Sequence, residues 1–135
     1  MITQVQYFAA KPHSSGEELI ASDLLSRVNE LCDEAERAGV HRQICPNTGS
    51  EISGSKGGSG DGGFRLPTAT TGAAHSSHKE ARAVDVYDPQ GNLDDWITDE
   101  ILEAPGLYRE APNSTEGWAH LTTRPPPSGK RTFIP

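Results

Sequence analysis

The chain is poor in apolar residues and contains no long apolar run. Only 33% of its 135 residues are hydrophobic, whereas it has 14 glycines and 10 prolines. No segment approaches the roughly 20 apolar residues that cross a bilayer, and the N-terminus lacks the basic start and apolar stretch of a signal peptide. We therefore expect a protein without a membrane span, made in the cytoplasm, in which a few regular elements are joined by long loops.

Cysteine and positive charge are also scarce. Cys32 and Cys45 stand far apart and in no CxxC pattern, which argues against a disulfide scaffold and predicts two reduced, partly buried thiols. The formal net charge is −7, whereas nucleic acids are bound by clustered lysine and arginine. Anionic membrane surfaces attract the same basic clusters. We therefore exclude nucleic acid and a membrane surface as partners.

Helical periodicity is clearest in the first third of the chain. A short strand-like piece, residues 5–8, comes before it. Ser15 fits a helix N-cap with Glu18 completing a capping box, and Gly39 fits the left-handed position after the helix. The pattern predicts one amphipathic helix. Its apolar stripe is Ile20, Leu24, Leu25, Val28, Leu31, Cys32 and Ala35.

The second half contains two strand patterns and one further helix. Residues 83–87 (AVDVY) and 117–123 (GWAHLTT) are predicted strands. Between them, Asn92 is expected to cap a helix that ends at Pro105-Gly106, and the last residues can add an edge strand. Together these elements predict an α+β fold, a small antiparallel sheet packed on helices, in a single domain spanning residues 1–135.

Residues 46–77 differ in composition from the rest of the chain. Glycine, serine, threonine and proline dominate there, and no periodicity remains. The segment is either a flexible linker or a long functional loop. It carries no GK[ST], which argues against a phosphate-binding loop. Phe64 and Arg65 interrupt the low complexity.

Two histidines and one aspartate form a candidate metal-ligand set. His78 precedes Asp85 by seven residues, and His120 lies in the second strand pattern. A catalytic zinc site uses three imidazole or carboxylate ligands and leaves one position open. Strand alternation places Asp85 and His120 on one face, below loop 46–77. The apolar residues on the other face should pack against the first helix: Val84, Val86, Ala119 and Leu121. His75 is either a further ligand or, as we favour, a loop residue lining the site.

The pattern SxHxxxxAxD followed by WxH resembles the signature of zinc D-Ala-D-Ala peptidases and their phage endolysin relatives, which share the Hedgehog/DD-peptidase fold. The matching positions are Ser76, His78, Ala83, Asp85, Trp118 and His120. The order of elements from about residue 23 to the end also follows that family. The stretches at residues 52–54 and 64–65 resemble its upstream Ser-Gly-Tyr-Arg motif, split by a glycine-rich insertion.

The resemblance implies zinc on the open sheet face and hydrolysis of an amide bond in a peptidoglycan peptide, as a carboxypeptidase or an endopeptidase. It assigns Arg65 to the substrate or the developing oxyanion. Ser76 and Trp118 would lie at the substrate as well, although for Trp118 we favour packing beside the metal. A phage or prophage protein acting at the cell wall or within a virion is implied.

Two positions depart from the family pattern. Ala81 stands where the family has glycine, and Gly117 stands where it has an acidic general base. We expect Glu116 to take over as the base, with Glu110 as the second candidate. The departure at Gly117 also favours an alternative, a non-catalytic phage tail or capsid module that keeps the fold. A metal-dependent binding domain like the Hedgehog relatives is a third reading, by analogy alone.

Overall fold

The computed structural model describes residues 1–55, 61–70 and 76–135. Its helices are α1 (Gln4–Phe8), α2 (Ser15–Arg37), α3 (Asn92–Trp96) and α4 (Asp99–Glu103), with short 3-10 helices at Ser77–Glu80 and Pro112–Ser114. Its strands are β1 (Ala83–Tyr87), β2 (Tyr108–Glu110), β3 (Trp118–Thr122) and β4 (Thr132–Phe133). The protein is thus a small α+β fold with one four-stranded sheet and few helices.

Helix α2 forms as its periodicity predicts, although its cap lies one residue earlier. The Ser14 hydroxyl accepts a hydrogen bond from the Glu17 backbone N–H at 3.1 Å, and the Glu17 carboxylate accepts one from the Ser14 N–H at 2.9 Å. The sequence SSGEE contains two overlapping capping boxes, so spacing alone could not choose between them. The predicted apolar stripe is buried except for Ile20, which is exposed. Gly39 follows the helix with φ of 93°.

The N-terminal segment is helical, and the prediction of a strand at residues 5–8 is wrong. Thr3 and Gln6 form a reciprocal capping box that closes the single turn of α1. Tyr7 and Phe8 are buried, and the Tyr7 hydroxyl donates to the carbonyl of Ala83 at 2.9 Å. Capping and tertiary burial therefore override the strand propensity of this short piece.

The predicted helix after residue 92 divides into α3 and α4. Asn92 is its first residue and not its cap. Instead, the Asp88 carboxylate accepts from two backbone N–H groups in the first turn of α3. Ile97 is extended, and Thr98 then caps α4 through its hydroxyl. A second capping residue inside the apolar pattern thus restarts the helix.

The sheet has the order β1-β3-β2-β4 and is mixed, not antiparallel as predicted. β3 pairs antiparallel with both β1 and β2, whereas β4 runs parallel to β2. The predicted edge strand near the C-terminus is confirmed as β4. β2 was not foreseen as a strand, because three residues are too few to show alternation.

One face of the β1–β3 pair belongs to the hydrophobic core, as predicted from strand alternation. Its residues are buried in the same cluster as the stripe of α2: Val84, Val86, Ala119 and Leu121. Cys32 and Cys45 are free and buried, which confirms their prediction as thiols. Within the described residues, no helix is long and apolar enough to cross a membrane.

The described parts of loop 46–77 pack along the outer edge of β1. Ser53 N–H donates to the carbonyl of Asp85, and Asp85 N–H donates to the carbonyl of Gly62, at 2.8 and 2.7 Å. A Cβ on Gly62 would collide with the backbone carbonyl of Ser53. A glycine is therefore required at this close approach of two chain segments. These contacts argue against a flexible linker in the described parts of the segment.

Candidate metal centre

Three different elements bring the predicted ligands together. Asp85 of β1 stands opposite His120 in β3, and His78 comes from the 3-10 helix just before β1. The Ser76 hydroxyl accepts from the His78 backbone N–H at 3.3 Å and so caps this helix. Ala81 ends it with φ of 60°. That left-handed conformation costs a non-glycine residue about 1 kcal/mol, so the alanine fits here at a modest energetic cost.

The donor atoms of the three side chains are close enough to share one ion. Asp85 Oδ1 lies 3.3 Å from His78 Nε2 and 2.9 Å from His120 Nδ1, and one ligand atom from each residue lies within 4.8 Å of the others. Tetrahedral ligands with bonds of about 2.0–2.1 Å stand roughly 3.3 Å apart. His78, Asp85 and His120 therefore form a buried group that could hold a metal ion.

The orientation of His78 is fixed by the glycine-rich loop. His78 Nδ1 is 2.9 Å from the carbonyl oxygen of Gly63. A carbonyl only accepts hydrogen bonds, so Nδ1 carries a proton, and Nε2, which faces Asp85, is the ring nitrogen that could bind a metal ion. A backbone carbonyl bonded to the distal nitrogen is the usual support of a metal-ligating histidine.

The electrostatics of the cluster favour a charged carboxylate. Burial opposes ionisation of Asp85, but His78 and His120 outweigh it and hold the pKa of Asp85 well below its usual value. Burial also lowers the pKa of His120, but its hydrogen bond with Asp85 and the charges of Asp85 and Glu110 raise that pKa above normal overall. A cation held between these atoms would replace the protons that the imidazoles share with the carboxylate.

A row of side chains continues from this cluster across the whole sheet. β3 pairs Arg109 with Leu121, so the next step in the antiparallel register sets Glu110 opposite His120. Glu110 Oε1 is 3.9 Å from His120 Nε2, and the Glu110 side chain is only 24% exposed. Glu110 is paired in turn with Phe133 of β4. The rings of Phe133 and His120 meet edge-on, with their centroids 6.3 Å apart.

The two candidate bases differ in position. Glu110 borders the cluster, whereas Glu116 is exposed in the turn before β3. In the described part of the chain Glu116 makes no ion pair with His78, Asp85 or His120. Gly117 has φ of 98°, a conformation that a side-chain-bearing residue adopts only under strain. The local backbone thus explains the glycine at the position where the resemblance expects an acid.

The remaining predicted site residues surround the cluster to different degrees. Arg65 Nη2 lies 3.7 Å from Asp85 Oδ2, and its Nε donates to the carbonyl of Asp61 at 2.7 Å. Ser76 acts on the backbone of the 3-10 helix, as described above. Trp118 lies two residues before His120 in β3 and is half-buried opposite Tyr87. His75 lies outside the described residues.

Phe133 is the residue at this site that sequence reasoning missed. It lies in a strand of two residues, which has no periodicity to detect, and no motif marks it. Comparison of the chain with protein-family models, curated proteins and solved structures gave no match. The resemblance to zinc peptidases therefore depends on the quoted motifs and on the geometry of the cluster.

Proposed function

We propose that the chain is a zinc-dependent peptidase that hydrolyses an amide bond in peptidoglycan peptides. Its fold would be the Hedgehog/DD-peptidase type, and the protein would be encoded by a phage or prophage. The single observation that carries the proposal is the convergence of His78, Asp85 and His120 within one donor-atom cluster. These three residues were expected together from SxHxxxxAxD and WxH.

The donor set fits zinc in a catalytic role. Two imidazoles and one carboxylate are three protein ligands, which leaves the fourth tetrahedral position open. Zinc bound in such a site lowers the pKa of a coordinated water to about 7 and polarises a substrate carbonyl. The nitrogen donors favour zinc over the oxygen-seeking ions calcium and magnesium.

Glu110 is the better proposal for the proton acceptor. Its carboxylate is the nearer of the two to the cluster, 3.9 Å from His120 Nε2, whereas Asp85 faces the other ring nitrogen, Nδ1. To accept a proton from a water bound among the three ligands, the Glu110 side chain would have to turn past the edge of the His120 ring. Glu116 would have to fold back from an exposed turn. The proposal therefore moves from Glu116, the first expectation from the sequence, to Glu110.

Arg65 is proposed to hold the substrate. Its guanidinium stands on the side of Asp85 away from the histidines and is anchored by the carbonyl of Asp61. A planar guanidinium can bind a peptide carboxylate with two hydrogen bonds, or stabilise the oxyanion that develops at the attacked carbonyl. Ser76 is proposed to contribute by fixing the 3-10 helix that carries His78.

Elemental analysis combined with mass spectrometry of digested peptidoglycan tests this function. We expect about one zinc per chain and new peptide fragments that disappear when the metal is chelated. Protein purified without chelator that contains no zinc would contradict the site. Zinc without any cleavage would instead support the alternative, a non-catalytic phage structural module. The glycine at position 117 is the observation that favours that alternative.

A further inference from the structure

A surface groove runs beside the candidate metal centre, between the 3-10 helix and the C-terminal tail. Its lining includes Ser77, Arg124, Lys130 and Phe133, together with the prolines at positions 125–127. Its volume is about 820 Å³, which lies within the roughly 300–1,000 Å³ of small-molecule and peptide sites. The groove is therefore large enough for several residues of an extended peptide.

The groove borders neighbours of the candidate metal-ligand cluster at two points. Ser77 directly precedes His78 in the 3-10 helix. Phe133 forms part of the groove and also meets the His120 ring edge-on. A peptide whose amide lies at the cluster can therefore reach the groove by passing over Phe133.

Cationic side chains border the groove, although the protein has a formal net charge of −7. The side chains that line its described part include Arg124 and Lys130 and no aspartate or glutamate, and the last residue, Pro135, also lines it. Arg124 donates to Glu80 at 2.8 Å, which offsets its charge. The Lys130 side chain is exposed, and no carboxylate of the described part of the chain forms an ion pair with it. Lys130 thus presents a positive charge that an anionic ligand can contact.

The proline wall limits how the groove can recognise a ligand. Prolines lack a backbone N–H, so the wall at 125–127 cannot pair with a peptide backbone as a sheet edge would. Recognition must depend on apolar contact and on the charge of Lys130. The fixed φ of each proline also leaves little backbone freedom to lose on binding.

From these observations we infer that the groove binds the acidic part of the peptide substrate, with Lys130 facing a free carboxylate and Phe133 contacting the neighbouring aliphatic atoms. The inference depends on the proposed peptidase function, because it names the class of peptide that this site takes. In a peptidoglycan stem peptide, the α-carboxylate of the D-glutamate residue has this chemistry.

A matched pair of peptides tests the inference. The probes are L-Ala-γ-D-Glu-L-Lys-D-Ala-D-Ala with a free glutamate α-carboxylate and the same peptide with that group amidated. Binding to the full zinc-loaded chain is measured by calorimetry, and cleavage of both peptides is followed separately by mass spectrometry. Lys130→Gln is compared with Arg37→Gln, which removes one exposed positive charge from the end of α2, outside the groove.

We expect the carboxylate form to bind about five-fold more tightly than the amide form, the upper range for a solvent-exposed ion pair. Lys130→Gln should reduce this ratio to about two-fold or less, Arg37→Gln should leave it unchanged, and about 0.5 M NaCl should reduce it. Equal affinity for the two forms, no binding of either, or an unchanged ratio in Lys130→Gln would overturn the inference. A carboxylate preference without cleavage would retain the groove and refute the peptidase. Cleavage of both peptides without the carboxylate preference would retain the peptidase and refute the role of the groove.

Discussion

The two faces of the β1–β3 pair are both buried but are held by different forces. On one face, Val84 and Leu121 are fully buried and contribute to the core through apolar packing, which is non-directional and depends on area. On the other, Asp85 and His120 are each only 8% exposed, and they depend on a few directional contacts among charged atoms. Burial alone therefore does not distinguish a face that packs in the core from a face that carries a candidate site. The two are distinguished by whether every second residue along the strand is apolar or ionisable.

The largest expected effect concerns the polar face. His120→Ala removes one of three donors, so bound zinc should fall from about one per chain to nearly none. The matched control is His41→Ala, because His41 is exposed and pairs with Glu36 at the surface. Elemental analysis after gel filtration measures the ratio. Full zinc retention by the His120 variant would show that the polar face is not a metal site.

The second prediction addresses the core face of the same strand. Leu121→Ala should lower the free energy of unfolding by about 3 kcal/mol, through lost burial and the cavity left behind. Zinc content per folded chain should stay unchanged, because the side chain points away from the cluster. Chemical denaturation gives the stability. Loss of zinc from protein that remains folded would show that the two faces are coupled.

The third prediction distinguishes the two candidate bases. Glu110→Gln should reduce turnover by roughly 10²-fold with zinc retained, because the proton acceptor is lost and the shape is kept. Glu116→Gln, a change of the same kind at an exposed position, should leave turnover within about two-fold. Steady-state kinetics on a peptidoglycan peptide measures both. The opposite ranking of the two variants would return the role to Glu116.

The smallest effect concerns a second buried aspartate, Asp94, which lacks the imidazole partners of Asp85. Burial raises its pKa to about 6, helped by the charge of Asp88, although Thr115 and Arg109 oppose the rise. In the unfolded chain its pKa is near 4, so the folded state binds more protons between these values. Stability from this group is therefore greatest below about pH 4 and is lost as pH rises through about 6.

Thermal unfolding of the wild type and of Asp94→Asn between about pH 4 and pH 7 measures this contribution. The asparagine variant should lack the loss of stability over that interval. If both proteins show the same pH dependence, Asp94 is ionised at its ordinary pKa in the folded state.

The sequence could predict the metal-ligand cluster because two strands of five residues show their alternation plainly. Asp85 and His120 then fall on one face, and the resemblance of SxHxxxxAxD to the peptidase motif adds His78. Glu110 and Phe133 could not be placed in the same way. They lie in strands of three and two residues, and the pairing that brings them to His120 is a long-range contact without a local pattern.

The boundaries of helices were predicted less well than their existence. The helix after residue 92 carried one continuous apolar pattern, and only the hydroxyl of Thr98 and the carboxylate of Asp88 divide it and cap its parts. Several neighbouring residues have side chains that can cap a helix, and the sequence does not show which of them makes the hydrogen bond. Residues 5–8 were misassigned for the same reason, since the capping box of Thr3 and Gln6 outweighs the strand propensity of four residues.

The hydrogen bonds around His78 also determine where this protein can change length. Arg65 N–H donates to the His78 carbonyl at 3.1 Å, and the His78 ring is bonded to Gly63 at 2.9 Å. Residues 65 and 78 are thus joined to each other whatever the length of the chain that connects them. Doubling the length of a flexible connection costs only about 0.6 kcal/mol of closure entropy. We therefore expect that residues added between positions 65 and 76 would leave His78 in place.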